Sequence, residues 1–145
     1  MKILILTDGS DPSLAAARWA ARHARQLNER PQIHLLHVQA PLPYARAGEV
    51  VGRATVEKYQ REMSEEALAP ASAVLTEAGI AFQKSWTVGE IAPSIADYAR
   101  AGSFDLVVMG SRGHGALLNL ALGSVATKVI ATLDVPVVVV PHPRP

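Results

Sequence analysis

Short aliphatic runs alternate with longer segments of helical periodicity along the entire sequence. The strand candidates are residues 2–6, 33–38, 81–88, 106–109 and 137–140. Runs that are almost wholly aliphatic suit parallel strands covered on both faces, and β-α-β crossovers are right-handed. The alternation therefore predicts an α/β fold. We expect one doubly wound domain over residues 1–145, with helices on both faces of a five-stranded, mostly parallel sheet in the order 3-2-1-4-5.

Composition restricts the classes of function. With 145 residues, of which 49% are hydrophobic, the chain can bury one substantial core. The 14 basic and 13 acidic side chains leave a net charge of +1, which is too small for sequence-independent binding of nucleic acid. The absence of cysteine excludes disulfides, a thiolate nucleophile and cysteine-based metal sites.

Hydropathy gives no sign of secretion or of a membrane span. The N-terminus carries one short apolar run, residues 3–6, before Asp8, and this is well short of a signal-peptide core. No run approaches the roughly 18 to 20 apolar residues that cross a bilayer. We expect a soluble, cytoplasmic protein with no membrane partner.

Helices are expected between the strands. The first begins with Ser10 or Asp11 as its cap and Pro12 in its first turn, and it runs to about residue 28. Its predicted buried stripe consists of Leu14, Ala17, Ala21, Ala24 and Leu27. The remaining helices are predicted at residues 51–78, with a break or kink near Pro70, and at residues 90–100 and 124–132.

Two loops follow strands at the point where the strand order reverses, which is where doubly wound sheets bind ligands. The segment Thr7-Asp8-Gly9-Ser10 follows the first strand, and Gly110-Ser111-Arg112-Gly113-His114-Gly115 follows the fourth. Three glycines of the second region are spaced as Gly110-x2-Gly113-x9-Gly123-Ser124. Glycine lets backbone amides approach an anion, and the first free N–H groups of the following helix suit a phosphate. The spacing therefore predicts a phosphate-binding loop.

This glycine spacing, together with Asp8 after an N-terminal hydrophobic strand and the run 137–140 after Pro136, resembles the universal stress protein family. The resemblance covers essentially the whole chain and points to the ATP-binding branch of that family. It implies a Rossmann-like fold. It also implies a regulatory stress-response protein that binds ATP, ADP or AMP and signals through nucleotide occupancy.

The resemblance implies a role for each residue near the base and the ribose. Asp8 would meet the ribose or adenine side of the nucleotide, and Val38 would offer its backbone to the adenine edge. Thr7 would flank the same pocket, while Met109 and Gly110 would line the ribose. From the residues alone, Asp8 as a cap of the first helix remains the structural alternative.

The phosphate-binding positions implied by the resemblance are Gly113, Gly123, Ser124 and Val125. They would bind through backbone amides, with the Ser124 hydroxyl as a further donor. A divalent cation such as Mg²⁺ would bridge the phosphate oxygens. Residues 116–122 carry only Asn119 as a polar side chain, so Arg112 and His114 are the nearby side chains that would add positive charge.

The aliphatic strand near the end of the chain exposes unpaired backbone groups if it lies at an edge of the sheet. Universal stress proteins, which the chain resembles, dimerise through their last strand. We therefore expect a homodimer built on Val137, Val138, Val139 and Val140. The alternative is a short edge strand that residues 141–145 cover.

Other chemistries have weaker support. Met109 occupies the first glycine position of a Gly-x-Ser-x-Gly elbow, so Ser111 is not expected to be an acyl-transfer nucleophile. His34 and His37 point to opposite faces of a strand and do not form a metal pair. Two functional alternatives remain. One is a slow ATPase or an autophosphorylating enzyme, with Ser111 and Ser124 as candidates, and the other is an interaction module that binds no nucleotide.

Overall fold

The computed structural model describes residues 1–42, 52–112 and 122–142 of the chain. Within these ranges, one sheet is formed by β1 (Lys2–Leu6), β2 (Gln32–Gln39), β3 (Phe82–Val88), β4 (Leu106–Gly110) and β5 (Val137–Val140). Neighbouring strands are parallel throughout, and their order is β3-β2-β1-β4-β5. The predicted doubly wound α/β fold and its strand order are therefore confirmed.

The helices of the described ranges are α1 (Asp11–Ala24), α2 (Arg53–Glu77), α3 (Ile91–Ala101) and α4 (Ser124–Thr132). Two expectations about them were wrong. Helix α1 ends at Ala24 rather than near residue 28, and Leu27 is 40% exposed instead of buried. Residues 25–30 are all exposed, so a further turn would bury no apolar surface to offset its loss of entropy.

Helix α2 continues through Pro70, so a break at this position was wrong, while a kink stays a prediction. Proline in a helix interior removes one backbone hydrogen bond and costs about 3 kcal/mol in isolation. Leu68 and Ala71, on either side of Pro70, and Leu75 one turn later are all fully buried. Their packing against the sheet stabilises the helix across the proline.

The sheet separates two apolar clusters, because alternate side chains of each strand point to opposite faces. Ile3, Ile5 and Leu35 pack with α1 and α2 on one face. Leu4 and Leu6 pack with α3 and α4 on the other. Both faces are covered, which explains why the central strands are mainly aliphatic.

The carboxyl ends of β1, β2 and β4 meet at one edge of the sheet, as the parallel order requires. The loops predicted to carry the chemistry begin at this edge. In the described part of the chain, no helix is both long enough and apolar enough to span a membrane.

Candidate functional site

A cleft of about 480 Å³ opens at the carboxyl edge of the sheet. Nine predicted site residues line it: Thr7, Asp8, Val38, Met109, Gly110, Arg112, Gly123, Ser124 and Val125. The predictions at Gly113 and His114 lie outside the described residues. Strands β1, β2 and β4 and the start of α4 thus bring together residues that are distant in sequence.

The cleft exists because β1 and β2 separate beyond Leu36. The two strands pair up to Leu6 and Leu36, and the ladder extends by one bond from Thr7 N to Leu36 O at 3.0 Å. In a regular parallel ladder, the next bond would join Val38 N to the Thr7 carbonyl. That carbonyl instead lies 2.9 Å from His37 Nδ1. The strand pairing therefore stops where the cleft begins.

As a result, the backbone of Val38 is left open. In a parallel strand, alternate residues direct their backbone groups to opposite neighbours, and Gln39 O already accepts from Gly89 N on the β3 side at 3.0 Å. Val38 therefore faces the vacated β1 side. Among the described residues, neither its N–H nor its carbonyl has a hydrogen-bond partner. One donor and one acceptor stand side by side at the wall of the cleft.

The loop after β1 is held by short polar contacts. Asp8 Oδ1 accepts hydrogen bonds from Ser10 N at 2.9 Å and from Ser10 Oγ at 2.5 Å. Ser10 Oγ in turn accepts from Ser13 N at 3.3 Å, which makes Ser10 the cap of α1. Asp8 is therefore not the helix cap. It orients the capping residue and also lines the cleft.

The Thr7 hydroxyl has a defined role in the same loop. Ser13 Oγ donates its only proton to Ser10 O at 2.9 Å, so it must accept from Thr7 Oγ1 at 3.1 Å. Thr7 Oγ1 also accepts from Gly9 N at 3.3 Å. Its proton and an acceptor site are thus engaged within the protein. Thr7 fixes the shape of the loop beside the cleft.

At the opposite end of the cleft, backbone amides are unpaired. Gly123 N donates to Ser111 O at 2.7 Å, and Thr127 N donates to Gly123 O at 3.1 Å. Among the described residues, the three intervening N–H groups, those of Ser124, Val125 and Ala126, have no partner, and no side chain caps α4. Together with the helix dipole, these amides form a site for an anion.

Close backbone approach explains the glycine at the end of β4. A Cβ on Gly110 would lie 2.5 Å from the carbonyl oxygen of Pro12. Because that oxygen belongs to the backbone of α1, the clash cannot be relieved by a side-chain rotation. Gly110 therefore allows the first turn of α1 to approach the end of β4.

Arg112 provides a positive charge at the cleft. Its Nε is buried and has no hydrogen-bond partner within residues 1–42, 52–112 and 122–142, although the residue as a whole is only half-buried and lines the cleft. A buried donor without a partner is destabilising.

Sequence reasoning missed several cleft residues. His37 was considered only as half of a metal pair, and Gln39 was not considered, yet both line the cleft. Their signal in the sequence is two polar residues, two positions apart, at the carboxyl end of an aliphatic strand. Met63 and Ala67 also line the cleft, because α2 extends beyond this edge of the sheet. Nothing in the local sequence indicates that contact.

The other histidine of β2 lies far from the cleft. His34 packs edge-on against Phe104, with ring centroids 4.9 Å apart, on the face opposite to His37. Burial lowers the pKa of His34, and the nearby charge of Lys2 lowers it further. The expectation that His34 and His37 point to opposite faces is confirmed. Across the described ranges, no group of three or more metal-ligating side chains is found.

Comparison with known proteins identifies the family. Residues 1–141 match the universal stress protein family. The chain belongs to this family. Universal stress protein MJ0531 from Methanocaldococcus jannaschii is 32% identical over 143 residues, which cover 99% of this chain and 83% of that protein. A universal stress protein from Mycolicibacterium smegmatis is 37% identical over 144 residues, covering 95% of this chain but 47% of its own length. The chain thus spans about half of that longer relative.

Solved structures of universal stress proteins share the fold. The Arabidopsis thaliana protein At3g01520, solved with AMP bound, is 19% identical with a TM-score of 0.71, covering 99% of this chain and 92% of its own. An Archaeoglobus fulgidus universal stress protein in complex with dAMP is 23% identical with a TM-score of 0.69, covering 97% of each chain. A universal stress protein in complex with cAMP is 24% identical with a TM-score of 0.68, covering 97% and 96%.

Proposed function

We propose that residues 1–145 form one nucleotide-binding domain that holds an adenine nucleotide in this cleft, as in the ATP-binding branch of the family. The protein would act as a stress-response regulator through nucleotide occupancy. One observation carries the proposal. The donor and acceptor of Val38 and the first amides of α4, all without partners in the described part of the chain, stand at two ends of the same cleft. The cytoplasmic location expected from the sequence belongs to this proposal.

The base end matches the edge of an adenine. Adenine presents a ring nitrogen acceptor beside an exocyclic amine donor, which complements the Val38 N–H and carbonyl. Apolar side chains from both sides of the sheet form the walls that would cover the ring: Leu6, Leu36, Met63, Ala67, Ile91, Ile95 and Met109. An apolar cleft with a few polar groups is typical of a small-ligand site. The neighbours solved with AMP, dAMP and cAMP support the same base.

The ribose and phosphates would extend from Val38 towards α4. Asp8 and Gly110 stand between these two ends and would contact the ribose. The amides of α4 and the Arg112 side chain would bind the phosphates, and Gly113 and His114 are proposed to join them. Mg²⁺ would be held mainly by phosphate oxygens, because Asp8 is the one carboxylate among the described cleft residues.

Binding rather than turnover is the expected activity. Asp8 Oδ1 is engaged by Ser10, and both ring nitrogens of His37 have partners. No other described cleft residue is a candidate general base. Without a group to activate water, hydrolysis of a bound nucleotide would be slow.

The homodimer is part of the proposal. Strand β5 lies at the edge of the sheet, next to β4 alone. Val137, Val138 and Val139 are each only half-buried. Pairing with the same strand of a second copy would satisfy the open backbone groups and cover these side chains. Light scattering should therefore report a dimer, and Val138→Asp should shift it to a monomer. A monomeric starting protein would contradict this assembly.

The nucleotide site is tested by calorimetric titration of nucleotide-free protein with AMP, ADP and ATP, each with Mg²⁺. We expect about one site per chain. Gly123→Val would place a branched side chain against Ser111 O, which a Cβ alone would approach to 3.3 Å, and should weaken binding at least tenfold. Ala131→Val, at an exposed position near the other end of α4, is the matched control.

A ligand at a hundred times its Kd stabilises a protein by about 2.7 kcal/mol, so thermal unfolding provides an independent check. Neither heat of binding nor thermal stabilisation with any of the three nucleotides would overturn the proposal. The interaction module without nucleotide would then be the better interpretation.

A further inference from the structure

His37 and Gln39 form a hydrogen-bonded pair at the base end of the cleft. His37 is 7% exposed, yet both His37 and Gln39 line the cleft. His37 Nδ1 lies 2.9 Å from the Thr7 carbonyl oxygen. Its Nε2 lies 3.0 Å from the terminal amide of Gln39, at the Oε1 position. The imidazole therefore connects the end of β1 to the last side chain of β2.

Counting protons fixes the orientation of the amide. A carbonyl oxygen only accepts, so His37 Nδ1 must carry a proton and donate to Thr7. In a neutral imidazole, the second nitrogen then accepts. Gln39 meets that acceptor only by turning its NH₂ group to the ring, a half-turn that exchanges amide nitrogen and oxygen at nearly unchanged positions. With the ring neutral, the Gln39 Oε1 is directed away from His37.

The direction of the Gln39 Oε1 matters because Gln39 directly follows Val38 in the sequence. Val38 supplies the open backbone N–H and carbonyl at the wall of the cleft. The side chains of His37 and Gln39 both lie on the α1 and α2 face of β2, at one side of that wall. The exocyclic amine of adenine has two N–H groups. The Val38 carbonyl can accept one of them, which leaves the other without a partner.

We propose that Gln39, oriented by His37, accepts the second N–H of the adenine amine and so selects purines that carry a 6-amino group. This inference rests on the proposed nucleotide site and names a determinant within it. Gln39 alone would not discriminate, because a free amide can present either its oxygen or its nitrogen. The hydrogen bond that the Gln39 NH₂ group donates to the fixed Nε2 acceptor prevents that rotation.

The test compares two probes that differ only in the amine: AMP and purine riboside 5′-monophosphate, which has hydrogen at C6. Their affinities for the full chain are measured by calorimetry. Gln39→Met keeps the length of the side chain and removes the acceptor. We expect the preference for AMP to fall about tenfold, the value of one hydrogen bond in a desolvated site, while binding of purine riboside monophosphate is nearly unchanged.

Two further variants distinguish a change in nucleotide preference from a general loss of structure. Gln32→Met makes the same substitution at the exposed start of β2 and should leave both affinities unchanged. His37→Phe keeps a ring but frees the Gln39 amide, so inosine 5′-monophosphate, with oxygen at C6, should gain several-fold relative to AMP. A general loss of structure would instead weaken all probes together and lower the unfolding temperature.

The outcomes are distinguishable. If neither probe binds the unaltered protein, the nucleotide site itself is wrong, and the role of Gln39 is wrong with it. If both bind but Gln39→Met leaves their ratio unchanged, the site stands and the role of Gln39 is refuted. An equal loss of both affinities in Gln39→Met also refutes selection by this residue.

Discussion

Replacing Gly9 with alanine should be markedly more damaging than the same change at Gly79. Both glycines have positive φ, +83° and +71° respectively. A residue with a Cβ at such a positive φ destabilises the folded state by about 1–2 kcal/mol. Alanine also restricts the unfolded chain, which offsets about 0.4–1 kcal/mol of that loss. At Gly79, nothing lies within 4 Å of an added Cβ. We therefore expect Gly79→Ala to lower the free energy of unfolding by about 0.5–1 kcal/mol.

At Gly9, the same strain is joined by a steric clash. An added Cβ would lie 3.0 Å from Ala67 Cα and 3.3 Å from its carbonyl oxygen. Both atoms belong to the backbone of α2, so no side-chain rotation relieves the contact. Overpacking of this kind costs about 1–3 kcal/mol, which gives about 2–4 kcal/mol in total for Gly9→Ala. The loop that carries Asp8 should also shift, so AMP binding should weaken in this variant alone.

Equilibrium unfolding in urea measures the free energy of unfolding of Gly9→Ala and of Gly79→Ala. An unchanged m-value shows that the native and denatured states of the variants are comparable. The double variant Gly9→Ala with Ala67→Gly provides a further control. Because the clash is with backbone atoms, removing the Ala67 methyl group should restore little stability. Equal losses for Gly9→Ala and Gly79→Ala would refute the argument that α2 presses on the loop, and so would full recovery in the double variant.

Three other predictions address the core, the distant histidine and the end of β4. Ser64 is fully buried and its hydroxyl has no hydrogen-bond partner among the residues that the structure describes, so Ser64→Ala should raise the free energy of unfolding by about 1 kcal/mol; a loss of stability would show that the hydroxyl is satisfied. His34 should titrate below its ordinary pKa of 6.5 by NMR, and Lys2→Met should raise that pKa partway, since burial is the larger cause. The pKa of His34 is lower in the folded protein than in the unfolded chain, so the free energy of unfolding should fall as the pH drops from 6.5 towards the folded pKa. An NMR titration midpoint at or above 6.5 would contradict the assignment. Gly110→Ala should cost at least 2 kcal/mol by urea unfolding, because its Cβ would meet the Pro12 carbonyl oxygen at 2.5 Å, and a neutral effect would mean that α1 can move away.

Much of the fold follows from local patterns in the sequence. Aliphatic runs separated by helical segments require a parallel sheet with covered faces, and the structure has that sheet in the expected order. The cap of α1 was also anticipated, since Ser10 and Pro12 satisfy the needs of a helix start whatever surrounds them. The end of α1 was not anticipated, because the helix stops where its residues no longer contact the core.

Some residues of the candidate site could likewise be predicted from the sequence, and others could not. Asp8, Gly110 and Gly123 could be chosen from the sequence because a turn, a close backbone approach and a helix start each favour particular residue types. The contributions of His37, Gln39 and Met63 could not. Their side chains reach the cleft only because β1 ends early and α2 extends beyond the sheet.

Local patterns in the sequence are enough to predict the α/β architecture and the strand ends at which the cleft opens, since side-chain periodicity and glycine spacing are properties of neighbouring residues. The tertiary structure alone decided which backbone groups are open for a ligand. Val38 is an ordinary valine in an ordinary strand, and its N–H and carbonyl are available only because the backbone pairing of β1 with β2 stops after Thr7 N. Whether a hydrogen-bonding group is satisfied depends on its neighbours in space, which are residues distant in the sequence.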